Sequence, residues 1–537
     1  MRNYGVADAP ARGASATLRK VQKPCEGSEN ARLVSSAPAK RRFRLPLALL
    51  LLAMLLRGGY LLRTPRGMQF AHVDAQGYHW LAINLLERGV FSTNTEPPYR
   101  ADNVRAPLYP LFVAAWYAID GPTPEVVVMA QVLIDVLTVA VLYQLGRLVA
   151  RSAYGPAEPS GAPARADSGL SAPEARGDRV GIVAALLYAL NPSSLRFANE
   201  LLTEILFGLL LTAAIWMFAR HIRKGKVVDA LWCGVLFGVA ILCKPNLQFL
   251  PLALLALLAR GLGAMGRGGS REGWWQGLVA AIGAIVLLLS PWVIRNRIVF
   301  GEWFYTRTFD DNLAHVSAVS TLAHSRGEAV APWSARWEEL YGEVIVATAL
   351  RYGWEDVSDA EVSARARDLR LQQLTVVAGE IVREHPIDFV LAHTKAWLWS
   401  FVPQEHKFWT VWLTGEPWPV APHEGDAFGR ALQAAAGGAV GEGVRIMIEE
   451  RLLALPPLAL ALWVTWAILY GVVGILFVVG ALRLRPRLLA LFLVVTVFYV
   501  TFVPGPISQI RFRLPVVPII LLVATFGLLS VKADVRR

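Results

Sequence analysis

The sequence predicts an all-α polytopic membrane protein with about ten transmembrane helices, interfacial helices in the first outer loop and a small, mainly helical extracytoplasmic domain. Of its 537 residues, 55% are hydrophobic and only 18% are charged, whereas soluble domains are about 25% charged. Apolar runs of about 20 residues recur, and this length crosses the hydrocarbon core of a bilayer. Basic residues collect in the links between the runs, as the positive-inside rule describes.

Ten apolar runs are predicted to be membrane spans. They cover residues 45–56, 125–149, 180–197, 203–220, 227–243, 246–260, 275–294, 457–481, 488–504 and 512–530. Arg57 interrupts the first span and is expected to snorkel or to face the bundle interior. The run at 107–119 is too short for a span and suits a helix that lies on the membrane.

The positions of the basic residues orient these spans. With the amino terminus inside, the links at 150–179, 221–226, 260–272 and 482–487 are cytoplasmic, and each contains clustered arginines or lysines. Both termini are therefore predicted to be cytoplasmic, with the site on the outer face of the cell's inner membrane. The net charge of +12 follows from the same clustering, so it does not indicate a nucleic-acid partner.

The spans divide the chain into five predicted parts. These are a disordered basic tail at 1–44, a transmembrane core at 45–294 with a first outer loop at 63–124, an extracytoplasmic domain at 295–456, C-terminal spans at 457–530 and a tail at 531–537. In the extracytoplasmic domain, a capping box at 358–361 predicts a helix to Glu384, and a second helix follows from Pro386 to Trp399. Packing is the favoured interpretation of the many tryptophans there, and sugar stacking is the alternative.

Asp74 is the first candidate for chemistry. It lies in the first outer loop, directly before an amphipathic run. If a helix begins at Ala75, Asp74 is suited to be its N-cap, which is a purely structural role. A carboxylate at the membrane boundary can also act as a general base toward an acceptor hydroxyl or amine. His72 and His79 are interpreted as interfacial or hydrogen-bonded residues and not as metal ligands.

Further acids and cations fall at outward span ends. Glu204 begins an apolar run, where a charge needs a partner. Asn191-Pro192 is predicted to break the helix before it. Glu200 is four residues before Glu204, so both would face one site if that turn is helical. Arg105 lies in the same loop as Asp74, and its guanidinium suits a phosphate. Lys244, Arg295 and Arg511 add cations on the outer side, against the usual bias, which indicates an anionic partner such as a lipid phosphate.

The chain contains neither a GxxxxGK[ST] phosphate loop nor an HExxH zinc helix. A nucleotide-driven pump is therefore not expected. A nucleotide-sugar donor would need a cytoplasmic domain, and no cytoplasmic link is long enough to form one.

These elements together resemble the GT-C superfamily of integral-membrane glycosyltransferases. The closest resemblance is to the branch that uses phospholipid carriers, the dolichyl-phosphate-mannose protein mannosyltransferases and lipid A aminoarabinose transferases of glycosyltransferase family 39. The resemblance covers about residues 45–310 and returns at 505–520. The residues that carry it are Asp74 with Tyr78, Arg105-Ala106-Pro107-Leu108-Tyr109-Pro110, Leu202-Thr203-Glu204, Lys244-Pro245, Pro291-Trp292-Val293-Ile294-Arg295-Asn296 and Arg511-Phe512-Arg513-Leu514-Pro515.

The resemblance implies that Asp74 is the catalytic acidic residue of the first loop, that Glu204 supplies a second acidic function and that Arg105 binds the donor phosphate. Tyr78, Tyr109 and Glu200 are expected to support the site. Many relatives carry a second acid where this chain has Ala75, so the acceptor and any need for a divalent metal are left open. No metal ligands are predicted, and no cofactor is expected beyond the lipid-linked sugar.

The predicted reaction transfers a sugar from polyprenyl phosphate to an acceptor on the outer face, with inversion. Asp74 would orient or deprotonate the acceptor, and Arg105, with Lys244, Arg295 or Arg511, would neutralise the leaving phosphate. The sugar, the oligomeric state and the choice among protein, lipid and glycan acceptors are left open. The alternatives are a sugar transporter or lipid flippase, and an O-antigen ligase or polymerase that uses diphosphate-linked donors.

Overall fold

The computed structural model describes residues 37–64, 67–70, 72–153, 172–251, 271–354, 364–414, 430–431, 434, 439–452, 455–507 and 509–534. The described residues from Leu45 onward belong to one compact unit. The described residues form helices joined by turns, with no strand among them. The predicted all-α fold is therefore confirmed.

The first part of the chain contains nine described helices of four residues or more. They are α1 (Ala37–Arg63), α2 (Val73–Arg88), α3 (Leu108–Asp120), α4 (Pro124–Ala153), α5 (Ala172–Ala189), α6 (Pro192–Phe197), α7 (Glu204–Lys224), α8 (Val227–Cys243) and α9 (Arg271–Phe300). Short 3-10 turns lie at Met68–Phe70 and Pro245–Leu247.

The second part of the chain continues with shorter helices and then long apolar ones. They are α10 (Thr308–Asp311), α11 (Val319–Ser325), α12 (Ala335–Tyr352), α13 (Ala364–Glu384), α14 (Pro386–Trp399), α15 (Glu405–Thr414), α16 (Val440–Ile446), α17 (Pro457–Arg483), α18 (Arg487–Phe502), α19 (Ile510–Arg513) and α20 (Val517–Asp534). Wider π turns cover Asn312–Ala318 and Met447–Leu452, and 3-10 turns cover Gly505–Ile507 and Leu514–Val516.

Among the described residues, six helices are long and apolar enough to cross a membrane, which agrees with the predicted polytopic character. They are Arg44–Arg63, Pro124–Ala153, Glu204–Lys224, Gly273–Phe300, Pro457–Arg483 and Ile510–Val531. Shorter apolar helices are Leu108–Asp120, Val227–Cys243 and Arg487–Phe502. The helix Leu108–Asp120 occupies the run that was predicted to be helical but too short for a span.

One predicted span is interrupted where Asn191-Pro192 was predicted to break the helix, and another is described only in part. The run at 180–197 is not one helix, because the chain breaks at Asn191, whose side chain accepts a hydrogen bond from the Ser194 amide at 3.0 Å and caps α6. Pro192 reinforces the break, since it has no amide hydrogen to continue the preceding helix. The predicted span at 246–260 lies mostly outside the described residues.

Glycines allow neighbouring apolar helices to pack closely, as in other membrane bundles. A Cβ atom on Gly146 of α4 would stand 2.7 Å from the Cα of Gly181 on α5. A Cβ on Gly480 of α17 would stand 2.0 Å from the Val523 carbonyl oxygen on α20. Neither distance is possible for a real side chain, so both contacts require glycine.

The segment after α9 is hydrogen-bonded to the first outer loop. The Arg307 guanidinium donates to the Asp368 carboxylate at 2.9 Å, and the Asn103 amide donates to the same carboxylate at 2.8 Å. The Arg307 backbone amide also donates to the Asn103 carbonyl at 2.8 Å. The helix that was predicted to end at Glu384 and its successor, Pro386–Trp399, are both present, whereas the capping box at 358–361 lies outside the described residues.

Candidate active site

Asp74 lies near the start of α2 and is paired with Arg511. Because α2 begins at Val73, Asp74 is already inside the helix, and the N-cap position belongs to His72. The N-cap interpretation of Asp74 is therefore wrong. Instead, Arg511 Nη1 donates to Asp74 Oδ2 at 2.6 Å, and the Asp74 side chain is 38% exposed. A carboxylate that is both charge-paired and accessible can be reached by a substrate.

Glu204 forms a second, more deeply buried pair. Lys244 Nζ lies 2.7 Å from Glu204 Oε1, and the Glu204 side chain is only 1% exposed. Phe512 connects the two pairs, because its ring lies 4.9 Å from Lys244 Nζ and 4.6 Å from the Arg511 guanidinium carbon. The charges of Arg511 and Glu204 are also close enough to interact. The sequence-predicted acids and two of the predicted cations therefore meet in one cluster.

Arg105 lies against the same helix as Asp74 and is held by Asp102. The Asp102 carboxylate accepts from the Arg105 guanidinium at 3.0 Å and from the Arg105 and Val104 amides at 2.7 and 3.0 Å. A Cβ on Gly77 would stand 2.8 Å from Arg105 Nη2, so the absence of a side chain at Gly77 makes room for the guanidinium. Arg105 is thus fixed one helical turn beyond Asp74.

Arg295 supports this loop from α9. Its Nη1 donates to the Asp102 carbonyl at 3.1 Å and to the Asn296 side chain at 2.8 Å. Its guanidinium carbon also lies 4.6 Å from the centre of the Trp292 ring. These contacts place Arg295 behind Arg105, on the Asp102 backbone, and no contact with Asp74 or Glu204 is present among the described residues.

Tyr78, one helical turn after Asp74 in α2, packs against Tyr109. Their ring centres are 4.8 Å apart in an edge-to-face arrangement. The Tyr109 hydroxyl donates to Gln131 at 2.6 Å, and Gln131 in turn donates to the carbonyls of Ala198 and Glu200 at 3.1 and 2.8 Å. Tyr109 therefore links the first outer loop to the turn before Glu204.

Glu200 and Glu204 have different partners. The chain between α6 and α7 is a turn and not a continuous helix, so the condition for the two acids to share a face is not met. Glu200 accepts from Arg196 Nε at 2.9 Å. Burial raises the pKa of Glu200, against the opposing effect of Arg196.

The surroundings of Asp74 keep it ionised. Burial alone would raise the pKa of Asp74, but the Arg511 guanidinium, with Arg105 and His72, holds the pKa below its ordinary value of 3.8. Burial and the neighbouring Arg511 charge lower the pKa of His72 from 6.5. His72 is therefore neutral at pH 7, and its Nδ1 lies 3.3 Å from Arg511 Nη1.

Sequence reasoning missed the residues that hold this cluster together. Gln131 and Asp102 were not singled out, although a glutamine inside an apolar run and an aspartate three residues before an arginine are both visible signals. Some of their partners lie far away in sequence, since Gln131 contacts Glu200, 69 residues on, and Asp102 contacts Arg295, 193 residues on. The helix packing decides such contacts, and no local pattern reports them.

A second buried polar cluster lies next to Arg511. Arg513 Nη2 donates to the Tyr470 hydroxyl at 2.7 Å and lies 3.3 Å from Glu405 Oε1, and the Ser193 hydroxyl donates to the same oxygen at 2.8 Å. Glu405 and Arg513 are almost fully buried. This cluster fixes the short helix α19, which carries Arg511, against α6, α15 and α17.

The described residues contain no group of three or more His, Cys, Asp or Glu side chains arranged to hold a metal ion. The absence of a resident metal thus stays a prediction from the sequence. The cluster around Asp74 and Glu204 combines two carboxylates with several guanidinium or ammonium groups, and this excess of cations suits an anionic ligand.

Comparison with known proteins finds one family model that matches part of the chain. Residues 172–294, which include Glu204 and Lys244, match the family model described as dolichyl-phosphate-mannose-protein mannosyltransferase. This match confirms the resemblance to GT-C glycosyltransferases predicted from the sequence. No curated protein matches the chain in sequence.

Solved structures that are similar to the chain include two membrane enzymes. One is the Archaeoglobus fulgidus oligosaccharyltransferase in its apo form, at 14% identity and a TM-score of 0.46 over 92% of this chain and 51% of that chain. The other is ArnT from Cupriavidus metallidurans bound to undecaprenyl phosphate, at 12% identity and a TM-score of 0.36 over 91% of this chain and 79% of that one. The chain thus spans about half the length of the archaeal enzyme.

Proposed function

We propose that this chain is a glycosyltransferase that moves a sugar from a polyprenyl-phosphate donor to an acceptor at the outer face of the membrane, with inversion. The observation that carries the proposal is the cluster in which Asp74–Arg511 and Glu204–Lys244 lie side by side around Phe512. The mannosyltransferase family match over residues 172–294 supports the reaction class.

In the proposed reaction, an acceptor oxygen or nitrogen attacks the anomeric carbon of the donor sugar. The bond between that carbon and the phosphate oxygen breaks, and its electron pair leaves on polyprenyl phosphate. Asp74 accepts the proton that the acceptor loses, since its carboxylate is ionised and accessible. A single displacement of this kind inverts the configuration at the anomeric carbon.

The cations match the charge that develops on the leaving group. The donor is a phosphodiester with one negative charge, whereas the product monoester carries about −1.5 to −2 at pH 7. Arg511 and Lys244 therefore stabilise the transition state more than the bound donor, and this difference accelerates the reaction. Arg105 adds a third positive charge, while Arg295 holds the Arg105 loop through the Asp102 carbonyl.

Donor binding and activation of Asp74 would be coupled. Without a donor, Arg511 is engaged by Asp74, and this pairing weakens the carboxylate as a base because it holds the pKa low. A phosphate that draws Arg511 away would let the pKa of Asp74 rise toward its ordinary value. The base would then become stronger only when the leaving group is in place.

Product analysis tests this proposal. Purified protein in sealed proteoliposomes is incubated with candidate acceptors and either undecaprenyl-phosphate sugars or, in parallel, undecaprenyl-diphosphate sugars, and the lipids on each side are identified by mass spectrometry. We expect free undecaprenyl phosphate to accumulate together with a glycosylated acceptor. Undecaprenyl diphosphate formed from a diphosphate-linked donor would favour a ligase, and unchanged lipid-linked sugar that crosses the membrane would favour a transporter. Either result would contradict the proposal.

A further inference from the structure

A separate cavity lies in the outer segment, beside the short helix that carries Arg511. It has a volume of about 270 Å³ and is bounded by α11, the loop at 328–334, α14, and Pro506, Ile507 and Gln509. Pockets for drug-sized ligands are usually about 300–1,000 Å³. This cavity is therefore of a size for one sugar ring and its substituents.

Trp333 lies in the wall of this cavity in an unusual backbone conformation. Its φ is 65°, and it is the one non-glycine residue with positive φ in the part of the chain that the structure describes. Such a conformation is strained for a bulky residue, and strain of this kind clusters at functional sites. The side chain is nevertheless 52% exposed, so burial of the indole does not explain the strain. An accessible tryptophan face is suited to stack on a sugar ring.

Lys395 supplies a positive charge to the same cavity. Its side chain is half-buried, burial lowers the pKa of the ammonium group, and no described acid lies within ion-pair distance of it. The other charged groups in the wall are already engaged. Glu328 is bound by Arg336 at 2.7 Å, and His324 contacts Asp388 at 2.8 Å. A partly buried cation without an acid is stabilised by an anionic ligand.

The remaining wall places the cavity next to the proposed active site. Gln509 contributes to the wall and stands two residues before Arg511. Gly505 allows the turn to approach α14 closely, since a Cβ there would lie 2.7 Å from the His393 ring. The helix that bears Lys395 and the turn that leads to Arg511 are therefore packed directly together.

We propose that this cavity binds a saccharide unit that carries a phosphate or carboxylate group, with the ring on Trp333 and the negative charge on Lys395. Its place beside Arg511 assigns this saccharide to the acceptor, and that assignment rests on the proposed function. The tryptophans of this segment then divide into two groups. Trp337 is 1% exposed and packs in the core, whereas Trp333 recognises the ligand.

Ligand-detected NMR on the full-length protein in nanodiscs tests the site without requiring activity. The probes are glucose 1-phosphate and glucuronate. Glucose, which lacks the negative charge, and inorganic phosphate, which lacks the sugar ring, are measured for comparison. We expect saturable binding of the two anionic sugars. Lys395→Ala should weaken it about tenfold or more, because a charge-assisted contact is lost, and Lys395→Arg should restore part of it. Trp333→Gly, chosen because glycine tolerates the positive φ, should weaken the binding of both anionic sugars and leave the binding of inorganic phosphate unchanged.

Matched controls are Lys224→Ala and Trp303→Ala, which change an exposed lysine and an exposed tryptophan outside the cavity. Equal binding by Lys395→Ala, Trp333→Gly and the wild-type protein would overturn the inference, as would a wild-type protein that binds neither anionic sugar. Displacement of glucose 1-phosphate by undecaprenyl phosphate would overturn the assignment to the acceptor. The product analysis above is scored separately, so a failed proposed function and a failed cavity site give different results.

Discussion

At Asp74, one hydrogen-bonded ion pair sets both the position and the proton affinity of the proposed base. Arg511 holds the carboxylate oxygen at 2.6 Å, and the neighbouring His72 is neutral because burial and Arg511 lower its pKa. A donor phosphate would compete with Asp74 for the same guanidinium. Competition of this kind explains how a well-paired aspartate can still take part in a proton transfer.

Gly77→Ala tests the position of Arg105 without touching either ion pair. The new Cβ would stand 2.8 Å from Arg105 Nη2, so the flexible end of that side chain must move away from α2. We expect the donor KM to rise roughly three- to tenfold while the protein folds normally, since alanine favours a helix over glycine by about 1 kcal/mol. Steady-state kinetics measure the change.

Gly342→Ala is the matched control, because a Cβ there meets nothing within 4 Å in α12. A Gly77→Ala protein with the donor KM of the wild type would show that Arg105 does not contact the donor.

The lowered pKa of His72 predicts a loss of stability in mild acid. Between the folded pKa and 6.5, the unfolded chain binds the proton more readily than the folded protein, so the free energy of unfolding falls as the pH falls. Each unit of pKa depression contributes about 1.4 kcal/mol. We expect His72→Gln to lose less thermal stability than the wild type between about pH 7.5 and about pH 5. Identical losses in the two proteins would contradict the assignment.

At the scale of elements, the long apolar helices were predictable because their period and length are local properties of the sequence. The break at Asn191 was predictable as well, because Asn191-Pro192 is a local signal that ends a helix. The start of α2 was less predictable. At α2, the ion pair with Arg511 on α19 determines what Asp74 does, and a cap inferred from local sequence cannot include that contact.

A buried ion pair joins four helices in the bundle. Arg57 Nε lies 2.5 Å from Asp135 Oδ2, and the Tyr188 hydroxyl donates to the other oxygen of Asp135 at 2.5 Å. Arg57 also donates to the Ala189 carbonyl at 3.1 Å and to Ser194 at 3.0 Å. Of the two alternatives from the sequence, Arg57 therefore faces the bundle interior and does not snorkel.

Removing one member of this pair should destabilise the bundle more than removing both. Arg57→Met leaves a buried carboxylate without its cation, which costs about 3–5 kcal/mol. Arg57→Met combined with Asp135→Leu should recover much of that loss, because no uncompensated charge is left. Thermal stability in detergent measures the difference, and a double variant less stable than the single one would contradict this account of the pair.

At the scale of the whole molecule, the sequence predicted most members of the candidate cluster, because their charges stand at span ends or in the adjoining outer loop, where they attract attention beside apolar runs. Asp74, Glu204, Lys244 and Arg511 do come together. Their pairing could not be predicted, since residues as far apart as Asp74 and Arg511 are brought together only by the packing of the bundle. The cavity beside them could not be predicted from the sequence either, because four separate segments of the chain form its wall.

Cysteine labelling tests the orientation predicted from the basic links. In a Cys25→Ser background, which leaves Cys233 and Cys243 buried, Glu96→Cys in the first outer loop should react with a membrane-impermeant maleimide in intact cells. Lys224→Cys, in a predicted cytoplasmic link, should react only after the membrane is opened. The reverse pattern would place Asp74 on the cytoplasmic side and would refute outer-face transfer.

The rate at which the Asp74→Asn protein releases undecaprenyl phosphate tests the central claim most directly. Asp120→Asn, an exposed carboxylate of the same loop, is the matched control. We expect Asp74→Asn to be slower by about 10²–10⁴-fold, as is typical for loss of a general base, with donor binding retained and with the Asp120→Asn rate unchanged. An Asp74→Asn rate equal to that of the wild type would remove Asp74 from the reaction.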